Sequence, residues 1–473
     1  MEKVYQLLED GVQKLNGVLY GPVMVGIILL IGLIFSIKTG FFQLTQCRLW
    51  LKKTIFSAEK KKNGDKGNGI SQFQALATAL AGTMGTGNIV GVATALVMGG
   101  PGAIFWMWIS AFVGMMTKYA ETVLAVLYRR KNKKGQWLGG AMEYIEHGLG
   151  KKWMASLFAV FCIFASFGMG NMTQANSIAD AMASAFQIPP LVTGGAVVLL
   201  TALVIFGGIT RIAKVSEKII PALSVIYILG GLLVIAFHFK NLPETFLRIF
   251  SSAFGIQAAA GGIGGYAITV AMRYGVGRGI FSNEAGLGSS GMVYAAAENG
   301  NAVEQGMWGI FEVFADTMVV CSITALAILS SGAMDGGTSG AQLCVITFES
   351  VFGKVGTYFI AISIAIFAFA SMIGWAYYGE RGLEYLVGER LSVAYKFLFL
   401  FFVYLGCVSR LEFVWNLSES FNGLMAIPNL IAVVALAPQV LDATASYRYD
   451  LKYRRIGLNR NGSLKVPEVQ KRK

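Results

Sequence analysis

Ala81-Gly-Thr-Met-Gly-Thr-Gly-Asn-Ile-Val-Gly91 interrupts a segment that is otherwise apolar enough to cross a bilayer. A second glycine-rich stretch, from Met272 through Arg-Tyr-Gly-Val-Gly-Arg to Gly279, interrupts another such segment in the second half of the chain. Lipid offers backbone groups no hydrogen-bond partner, so a helix can unwind at membrane depth only where it lines a protein-enclosed or water-filled cavity. Paired breaks in two halves of a chain point to the binding site of a secondary transporter.

The composition indicates a polytopic membrane protein rather than a set of soluble domains. Of the 473 residues, 55% are hydrophobic and 14% are charged, whereas soluble domains carry roughly 25% charged residues. The net charge of +13 is concentrated in loops, at 38–69, 129–152 and 210–218, and in the tail from Arg448 to Lys473. This pattern follows the positive-inside rule, so it predicts an N-terminus outside and a C-terminus inside, and it excludes nucleic-acid binding as the reason for the charge.

Hydropathy predicts an all-α membrane protein with eleven transmembrane helices. Removing the first helix leaves two sets of five with opposite orientations, as inverted repeats require. The predicted domains are an extracellular segment 1–17, a membrane domain 18–440 (extra helix and cytoplasmic loop 18–69, first repeat 70–238, second repeat 239–440) and a basic cytoplasmic tail 441–473. The segments lie near 18–38, 70–97, 101–128, 152–186, 191–209, 219–238, 253–295, 304–331, 354–379, 391–408 and 420–440.

The seventh segment is about twice the length that a spanning helix needs, so it must contain the second break. Its midpoint lies near Tyr274 and Gly275, inside the glycine cluster, and this predicts the break there. Ser282 and Asn283 precede Glu284 in the manner of an N-cap that opens a new half-helix. The alternative position is the stretch Gly261–Gly265.

The first break has the chemistry to bind both a carboxylate and a cation. Amide groups of Thr86 and Gly87, together with the Asn88 side chain, would attract an anionic carboxylate. Carbonyls near Ala81 and Met84 would bind an ion such as Na⁺. Close helix packing through small residues is the alternative explanation for these glycines. The many Gly, Thr and Asn residues between Gly82 and Asn88 favour a binding site instead.

Polar residues in two other segments are candidates to complete this site. Gln174 lies past the midpoint of the fourth segment, where a polar side chain faces the bundle interior, either at the site or in an interhelical hydrogen bond; Asn171 is the substitute candidate. Ser371 and Trp375 share one face of the ninth segment, four residues apart. Ser371 would complete an ion shell, and Trp375 either limits substrate size or belongs to the interfacial aromatic belt.

Charged residues within the membrane segments are functional candidates by default. Glu312 and Asp316 stand at i, i+4, near the predicted cytoplasmic end of the eighth segment. These two carboxylates would relay protons, pair with Arg273 or Arg278, or form a structural or gating pair. Their position in the segment favours the structural or gating pair. Arg278 and Glu284 are further gating or structural candidates.

The same residues exclude other classes of protein. No nucleophile–base constellation, P-loop lysine or metal-ligand cluster points to an enzyme or to an organic cofactor. A receptor would need a soluble signalling domain, for which the tail from Tyr447 to Lys473 is too short and too polar. A channel would need a filter or a ring of charges, and the sequence has neither.

Five strings in the chain resemble the alanine/glycine:cation symporters. They are Ala79-Leu-Ala-Gly-Thr-Met-Gly-Thr-Gly-Asn-Ile-Val-Gly-Val-Ala93, Gly99-Gly-Pro-Gly-Ala-Ile-Phe-Trp-Met-Trp108, Thr117-Lys-Tyr-Ala-Glu121, Arg278-Gly-Ile-Phe-Ser-Asn-Glu-Ala-Gly286 and Ile373-Gly-Trp-Ala-Tyr-Tyr-Gly-Glu380.

This resemblance, from about Tyr20 to the final helix, implies a leucine-transporter-type fold with two broken helices in a prokaryotic plasma membrane. It also implies symport of alanine or glycine with Na⁺ and no obligate protein partner; a proton-coupled carrier of the same fold, using Glu312 or Asp316, is the alternative. When the family's site residues are carried over by position, substrate and ion would bind at Ala81–Asn88. Gln174, Trp375 and the Tyr274–Gly275 region would complete the same site. Members of the family often carry threonine at the position of Ser371.

Overall fold

A computed structural model describes residues 2–55, 69–133, 135–255, 264–298, 300–338, 340–409 and 412–455, and most of them are helical. Within these described ranges, eight helices are long and apolar enough to cross a membrane, and three shorter helices are also apolar, which confirms a multi-pass helical membrane protein. The helices of the first half are α1 Glu2–Leu19, α2 Pro22–Lys38, α3 Phe42–Thr45, α4 Cys47–Lys53, α5 Gln72–Thr83, α6 Val90–Gly99, α7 Gly102–Leu127, α8 Ala141–Leu149, α9 Lys152–Phe167, α10 Thr173–Phe186, α11 Pro190–Ile205 and α12 Gly208–Phe237.

The second half continues the same helical architecture, and two antiparallel strands, β1 Arg130–Lys131 and β2 Trp137–Leu138, form a small hairpin between α7 and α8. Its helices are α13 Leu242–Ala253, α14 Gly264–Asn283, α15 Gly291–Ala295, α16 Ala302–Val313, α17 Ser322–Ser331, α18 Ala341–Phe352, α19 Lys354–Val387, α20 Ser392–Val408, α21 Glu412–Ala435 and α22 Ala437–Arg455. Shorter 3₁₀ turns lie at Thr86–Asn88, Phe239–Asn241, Ala333–Gly336 and Glu389–Leu391, and π-helical stretches at Gly168–Met172 and Phe314–Cys321.

The core of the bundle is built around α7 and α19, which are buried along most of their length. Helix α7 packs against α14 and α16, and α19 packs against α9 and α10. Helix α5 begins at a capping box, in which the Ser71 hydroxyl accepts from the Gln74 amide and the Gln74 side chain accepts from the Ser71 amide. This cap fixes the start of the first broken helix, so the break that follows has a defined position.

The first break lies where the sequence predicts it, between α5 and α6, but the second does not. Helix α14 runs unbroken through Tyr274 and Gly275, so the prediction of a break there is wrong. The chain leaves the helix at Glu284, which has a φ of 55°, and α15 begins at Gly291. Ser282 and Asn283 therefore end a half-helix and do not open one.

Close packing explains why the glycines around Gly275 do not unwind the helix. A Cβ atom on Gly275 would lie 2.1 Å from the Ala103 carbonyl oxygen, and one on Gly279 would lie 2.7 Å from the Ser110 hydroxyl. These glycines let α14 approach the backbone of α7, as small residues do between membrane helices. Of the alternative stretch Gly261–Gly265, residues 261–263 lie outside the described residues, and α14 begins at Gly264.

Helices occupy parts of three predicted loop or terminal segments. The predicted loop 210–218 is helical, because α12 already begins at Gly208. The predicted tail 441–473 begins inside α22, which continues to Arg455, and residues 456–473 lie outside the described residues. The predicted segment 1–17 is largely the helix α1, which packs against α21 and whose Asn16 donates to the Asn416 carbonyl at 2.7 Å.

Candidate binding site at the broken helices

The first break frees backbone groups in the buried interior. The Met84 amide makes the last α-helical bond, to the Leu80 carbonyl at 2.7 Å. The Gly85 amide then donates to the Thr83 carbonyl at 3.0 Å, so the Ala81 carbonyl loses the donor that a continuous helix would give it. The Thr86 and Gly87 amides begin the 3₁₀ turn Thr86–Asn88, so neither has an acceptor within that turn. The break therefore offers carbonyl oxygens on one side and N–H groups on the other.

Ser371 and Gln174 lie against this break, as the sequence predicts. The Ser371 hydroxyl donates to the Gly82 carbonyl at 2.8 Å, and the Thr86 amide donates to the Gln174 Oε1 at 3.3 Å. A Cβ atom on Gly85 would lie 2.9 Å from the Ser371 Oγ and 3.1 Å from the Gln174 Oε1. A side chain here would enter the space between these two polar groups and displace them.

A π-helical stretch sets the direction of Gln174. Residues Gly168–Met172 widen the helix between α9 and α10, and the Gln174 Nε2 donates back to the Met169 carbonyl at 3.1 Å. The Gln174 Oε1 is thereby presented to the first break. Asn171 is not at the break, because its amide donates to the Phe399 carbonyl at 2.8 Å.

Trp375 lies in the protein interior, one turn beyond Ser371. Its side chain is fully buried, which contradicts the interfacial-belt alternative. A Cβ atom on Gly170 would lie 2.3 Å from the Trp375 Cβ, so the indole packs directly on the π-helical stretch that orients Gln174. Its ring contacts Tyr378 edge to face, with the ring centroids 5.4 Å apart.

Asp316 joins the two broken helices, which the sequence does not predict. Its Oδ1 accepts from the Asn88 Nδ2 at 2.7 Å, and its Oδ2 accepts from the hydroxyls of Ser282 at 2.8 Å and Thr317 at 2.7 Å. Asn88 belongs to the first break, and Ser282 lies immediately before the second. The expectation that Asp316 lies near the cytoplasmic end is therefore wrong.

Glu312 faces a different partner, although it stands four residues before Asp316. Its carboxylate accepts from the Tyr294 hydroxyl at 2.8 Å and lies 3.4 Å from the Lys118 Nζ. The π-helical stretch Phe314–Cys321 begins between the two carboxylates, and its wider turns end the i, i+4 alignment of an α-helix. Neither carboxylate pairs with Arg278, which binds Glu419 at 2.6 Å instead.

The second break is held by buried polar groups around Lys118. The Lys118 Nζ donates to the Ser290 hydroxyl at 3.0 Å, and the Glu121 carboxylate accepts from the Gly288 amide at 3.1 Å. Glu284 accepts from the Ser289 hydroxyl. Asn429, in helix α21, donates to Glu121 and to the Gly286 carbonyl. Asn429 was not predicted as a site residue, although a polar side chain within an apolar helix is a signal for such a buried bond.

Tyr274 and Gly275 are not brought to the first break. Tyr274 lines a small cavity with Tyr20 and the Arg278–Glu419 ion pair, and Gly275 packs against α7. A larger cavity of about 600 Å³ lies between Thr86 and Gly87 on one side and Arg278 on the other.

At the hairpin end of the bundle, the two broken helices are joined. The Glu298 amide donates to the Ile70 carbonyl at 3.0 Å, and the Ile70 amide donates to the Ala296 carbonyl at 3.4 Å. The Arg129 guanidinium binds the carbonyls of Ala295 and Ala297 at 3.1 and 2.6 Å. The cavity beside Thr86 thus lies between the first break and the end of the bundle that holds Arg278. At the hairpin end, backbone bonds link the two broken helices.

The chain is similar to known membrane transporters. The family described as "Sodium:alanine symporter family" matches residues 5–457. A sodium/alanine symporter of Methanococcus maripaludis is 42% identical, covering 92% of this chain and 96% of the relative. A putative sodium/proton-dependent alanine carrier protein of Bacillus subtilis is 40% identical (94% and 93% covered), and a probable sodium/glutamine symporter of the same organism is 38% identical (97% and 96% covered). The crystal structure of a manganese transporter of Eremococcus coleocola has a similar fold, with a TM-score of 0.51, 14% identity and 79% and 78% of the two chains covered.

Proposed function

The chain belongs to the sodium:alanine symporter family, cation-coupled amino-acid transporters and not enzymes, and we propose that it imports alanine and glycine by symport with Na⁺. The observation that carries the proposal is the buried break at Ala81–Asn88, where a cation and a zwitterion can bind freed backbone groups. The proposal includes a prokaryotic plasma membrane, eleven helices in a leucine-transporter-type repeat, and an N-terminus outside.

The coupling ion is proposed to bind at Ala81, Met84 and Ser371. The Ala81 carbonyl has lost its helical donor, and the Ser371 hydroxyl lies 2.8 Å from the neighbouring Gly82 carbonyl. Oxygen ligands of this kind suit a hard cation. Ion binding would fix α5 against α19, because the ligands come from both helices.

The substrate carboxylate is proposed to bind the amides of Thr86 and Gly87. These N–H groups begin the turn that leads into α6, where the helix dipole favours negative charge. Gln174 is within reach of the same position: its Oε1 accepts from the Thr86 amide in this structure and would yield that amide to the carboxylate when the substrate binds. Asn88 stays a proposed substrate residue; its side-chain amide donates to Asp316, which also fixes the position of the break.

Selection for small side chains is proposed to come from Trp375. The buried indole and the glycines beside it leave little freedom to move, since Gly170 and Trp375 are already in contact. One relative is named as a glutamine symporter, and glutamine has a larger side chain than alanine or glycine. The Trp375 indole would therefore control which side-chain sizes this protein accepts.

Transport is proposed to proceed by rocking of the two broken helices against the remaining helices. The joined backbone at Ile70 and Glu298 would be the closed gate of an outward-facing state, with the hairpin end in the cytoplasm. The Arg278–Glu419 ion pair, already formed at 2.6 Å, lies at the opposite end and would have to separate for substrate to enter from that side.

The decisive experiment measures uptake of radiolabelled alanine into proteoliposomes with and without an inward Na⁺ gradient. We expect uptake to require Na⁺, and unlabelled glycine to compete more strongly than glutamine. Uptake that ignores Na⁺ but stops when the pH gradient is collapsed would instead select the proton-coupled carrier. That alternative has support in Asp316, a buried carboxylate next to the break, and in a relative named as sodium/proton-dependent.

A further inference from the structure

Glu284 is a buried residue at the second break for which the proposed transport path gives no role. Its amide makes the last bond of α14, to the Ile280 carbonyl at 2.8 Å, and its backbone then turns to a φ of 55°. Glycine adopts this left-handed conformation freely, whereas a residue with a side chain is strained there. Such strain persists where the surroundings hold the residue, and strained residues cluster at functional sites. We therefore expect the Glu284 side chain to make a contact that glycine could not make.

The carboxylate of Glu284 is only half used within the protein. Its Oε2 accepts from the Ser289 hydroxyl, on the same break. Its Oε1 is buried and has no hydrogen-bond partner among the described residues. The Lys118 ammonium acts on this carboxylate through its charge, but it forms its ion pair with Glu312, at 3.4 Å. A buried carboxylate oxygen without a donor is costly, so the Oε1 of Glu284 needs a donor from a neighbouring element.

The Trp375 indole lies beside Glu284 and has an unused donor. Its Nε1 is buried and, in the part of the chain that the structure describes, has no acceptor. The Glu284 carboxylate is within interaction distance of this N–H, but the two groups do not form a complete hydrogen bond. Buried tryptophan N–H groups usually find a partner. An unused donor on α19 and an unused acceptor on the second break are therefore neighbours.

We propose that Glu284 is a positioning residue for Trp375, and that its Oε1 accepts the indole N–H when a substrate is enclosed. The inference rests on the proposed function and deepens it, because Trp375 is the residue proposed to limit the size of the substrate side chain. A hydrogen bond to a carboxylate is strong enough to fix the ring. It holds the indole from the second break, while the contact with Gly170 holds it from the π-helical stretch that orients Gln174. The position of the second broken helix thereby sets the size limit.

The test compares glycine and glutamine as competitors for uptake of radiolabelled alanine into proteoliposomes. The measured quantity is the discrimination ratio, defined as the half-inhibiting concentration of glutamine divided by that of glycine. Glu284→Ala removes the acceptor, and Trp375→Phe removes the indole N–H but keeps an aromatic ring. We expect each substitution to lower the ratio about tenfold, as the loss of one hydrogen bond to a charged group predicts.

The double variant is the decisive comparison, because phenylalanine is also smaller than tryptophan. If Glu284 acts through the indole, Glu284→Ala adds nothing once the N–H is gone. The double variant should then have the ratio of Trp375→Phe alone. Two losses that multiply would show that Glu284 and Trp375 act independently, and this result would overturn the inference.

Two further variants separate positioning from a general structural role. Glu284→Gln keeps an oxygen that accepts from the indole, so it should retain most of the wild-type ratio. A ratio as low as that of Glu284→Ala would overturn the inference. Trp308→Phe is the matched control for the indole, because the Trp308 N–H, on α16, is also buried and unpartnered among the described residues. Its ratio should equal that of the wild type, and a tenfold loss there would show that any buried indole sets the ratio.

The outcomes also separate this inference from the proposed function. A Glu284→Ala protein that transports less alanine at an unchanged ratio would overturn the positioning role, while Na⁺-driven uptake by the wild type would keep the proposed function. A wild type that takes up no alanine with Na⁺ would overturn both. If Glu284→Ala is not recovered as a monodisperse protein, Glu284→Asp tests the same contact with a shorter side chain. It should lower the ratio several-fold, and an unchanged ratio would overturn the inference.

Discussion

Gly85 is the residue on which the geometry of the first break most directly depends. A Cβ atom here would lie 2.9 Å from the Ser371 Oγ, so Gly85→Ala should displace the ion ligand and abolish Na⁺-driven alanine uptake. Gly91→Ala is the matched control, because its nearest neighbour, the Thr86 carbonyl oxygen, is 4.0 Å away. Uptake in proteoliposomes checks both variants, and equal activity would show that the space beside Gly85 is not used.

The Ser371 hydroxyl is the side-chain ligand proposed for the coupling Na⁺. Ser371→Ala should raise the Na⁺ concentration for half-maximal uptake about fivefold, since one polar interaction contributes about 1 kcal/mol. Ser371→Thr keeps the hydroxyl and should stay close to wild type. A Na⁺ dependence that is identical in all three proteins would contradict the assignment of Ser371.

At this scale the sequence predicts the first break well and the charges poorly. Ala81–Asn88 stands out because so many small and polar residues occur within one apolar segment, and Gln174 and Ser371 do meet it. Glu312 and Asp316 do not share the face that the i, i+4 spacing predicts, because that rule assumes α-helical geometry. Nothing in the spacing from Glu312 reveals the π-helical stretch that turns the two carboxylates apart.

Among the elements, the contact between α14 and α7 makes the most specific prediction. A Cβ atom on Gly275 would lie 2.1 Å from the Ala103 carbonyl oxygen, so Gly275→Ala should destabilise the protein by about 1–3 kcal/mol through overpacking. Gly277→Ala, on the same helix with its nearest neighbour 3.7 Å away, should leave stability unchanged. Thermal unfolding of both variants in detergent gives the comparison. If Gly275 were instead a substrate residue, Gly275→Ala would keep its stability and lose only alanine affinity.

The misplaced second break has a physical explanation at the same scale. Glycine is required both where a helix unwinds and where two helices approach closely, and in each case the reason is the missing Cβ. The cluster at Gly275 and Gly279 serves close approach, whereas Gly286 and Gly288, with φ of 96° and 73°, serve the break. Sequence alone does not separate these two uses, so a multi-pass helical bundle with a break in each half could be predicted while the position of the second break could not.

In the whole molecule, Arg129 is expected to hold the hairpin end closed. Its guanidinium binds the carbonyls of Ala295 and Ala297 and stacks on Trp137, with the guanidinium carbon 4.0 Å from the ring centroid. Arg129→Ala should speed hydrogen–deuterium exchange at Ile70 and Glu298 about tenfold, as expected from a loss of about 1.4 kcal/mol.

Arg130→Ala is the control for this measurement. Arg130 is half-exposed and pairs with Glu143 at 2.7 Å, away from the joined backbone. Its removal should leave exchange at Ile70 and Glu298 at the wild-type rate. Exchange that rises equally in both variants would point to a general loss of charge at this end and not to a latch made by Arg129.

The π-helical stretch Phe314–Cys321 makes the length of this segment as important as its composition. Deleting one residue from it would restore α-helical winding within the stretch and move Asp316 relative to Ser282 and Asn88, while α17 would keep most of its orientation because the wider turns hold the extra residue. The bonds of Asp316 would then be lost, whereas the bond that Trp108 donates to Ser322 and the bond between Tyr227 and Thr324 should survive. Single substitutions along this stretch should therefore be tolerated far more often than a single deletion, as a deletion scan would reveal.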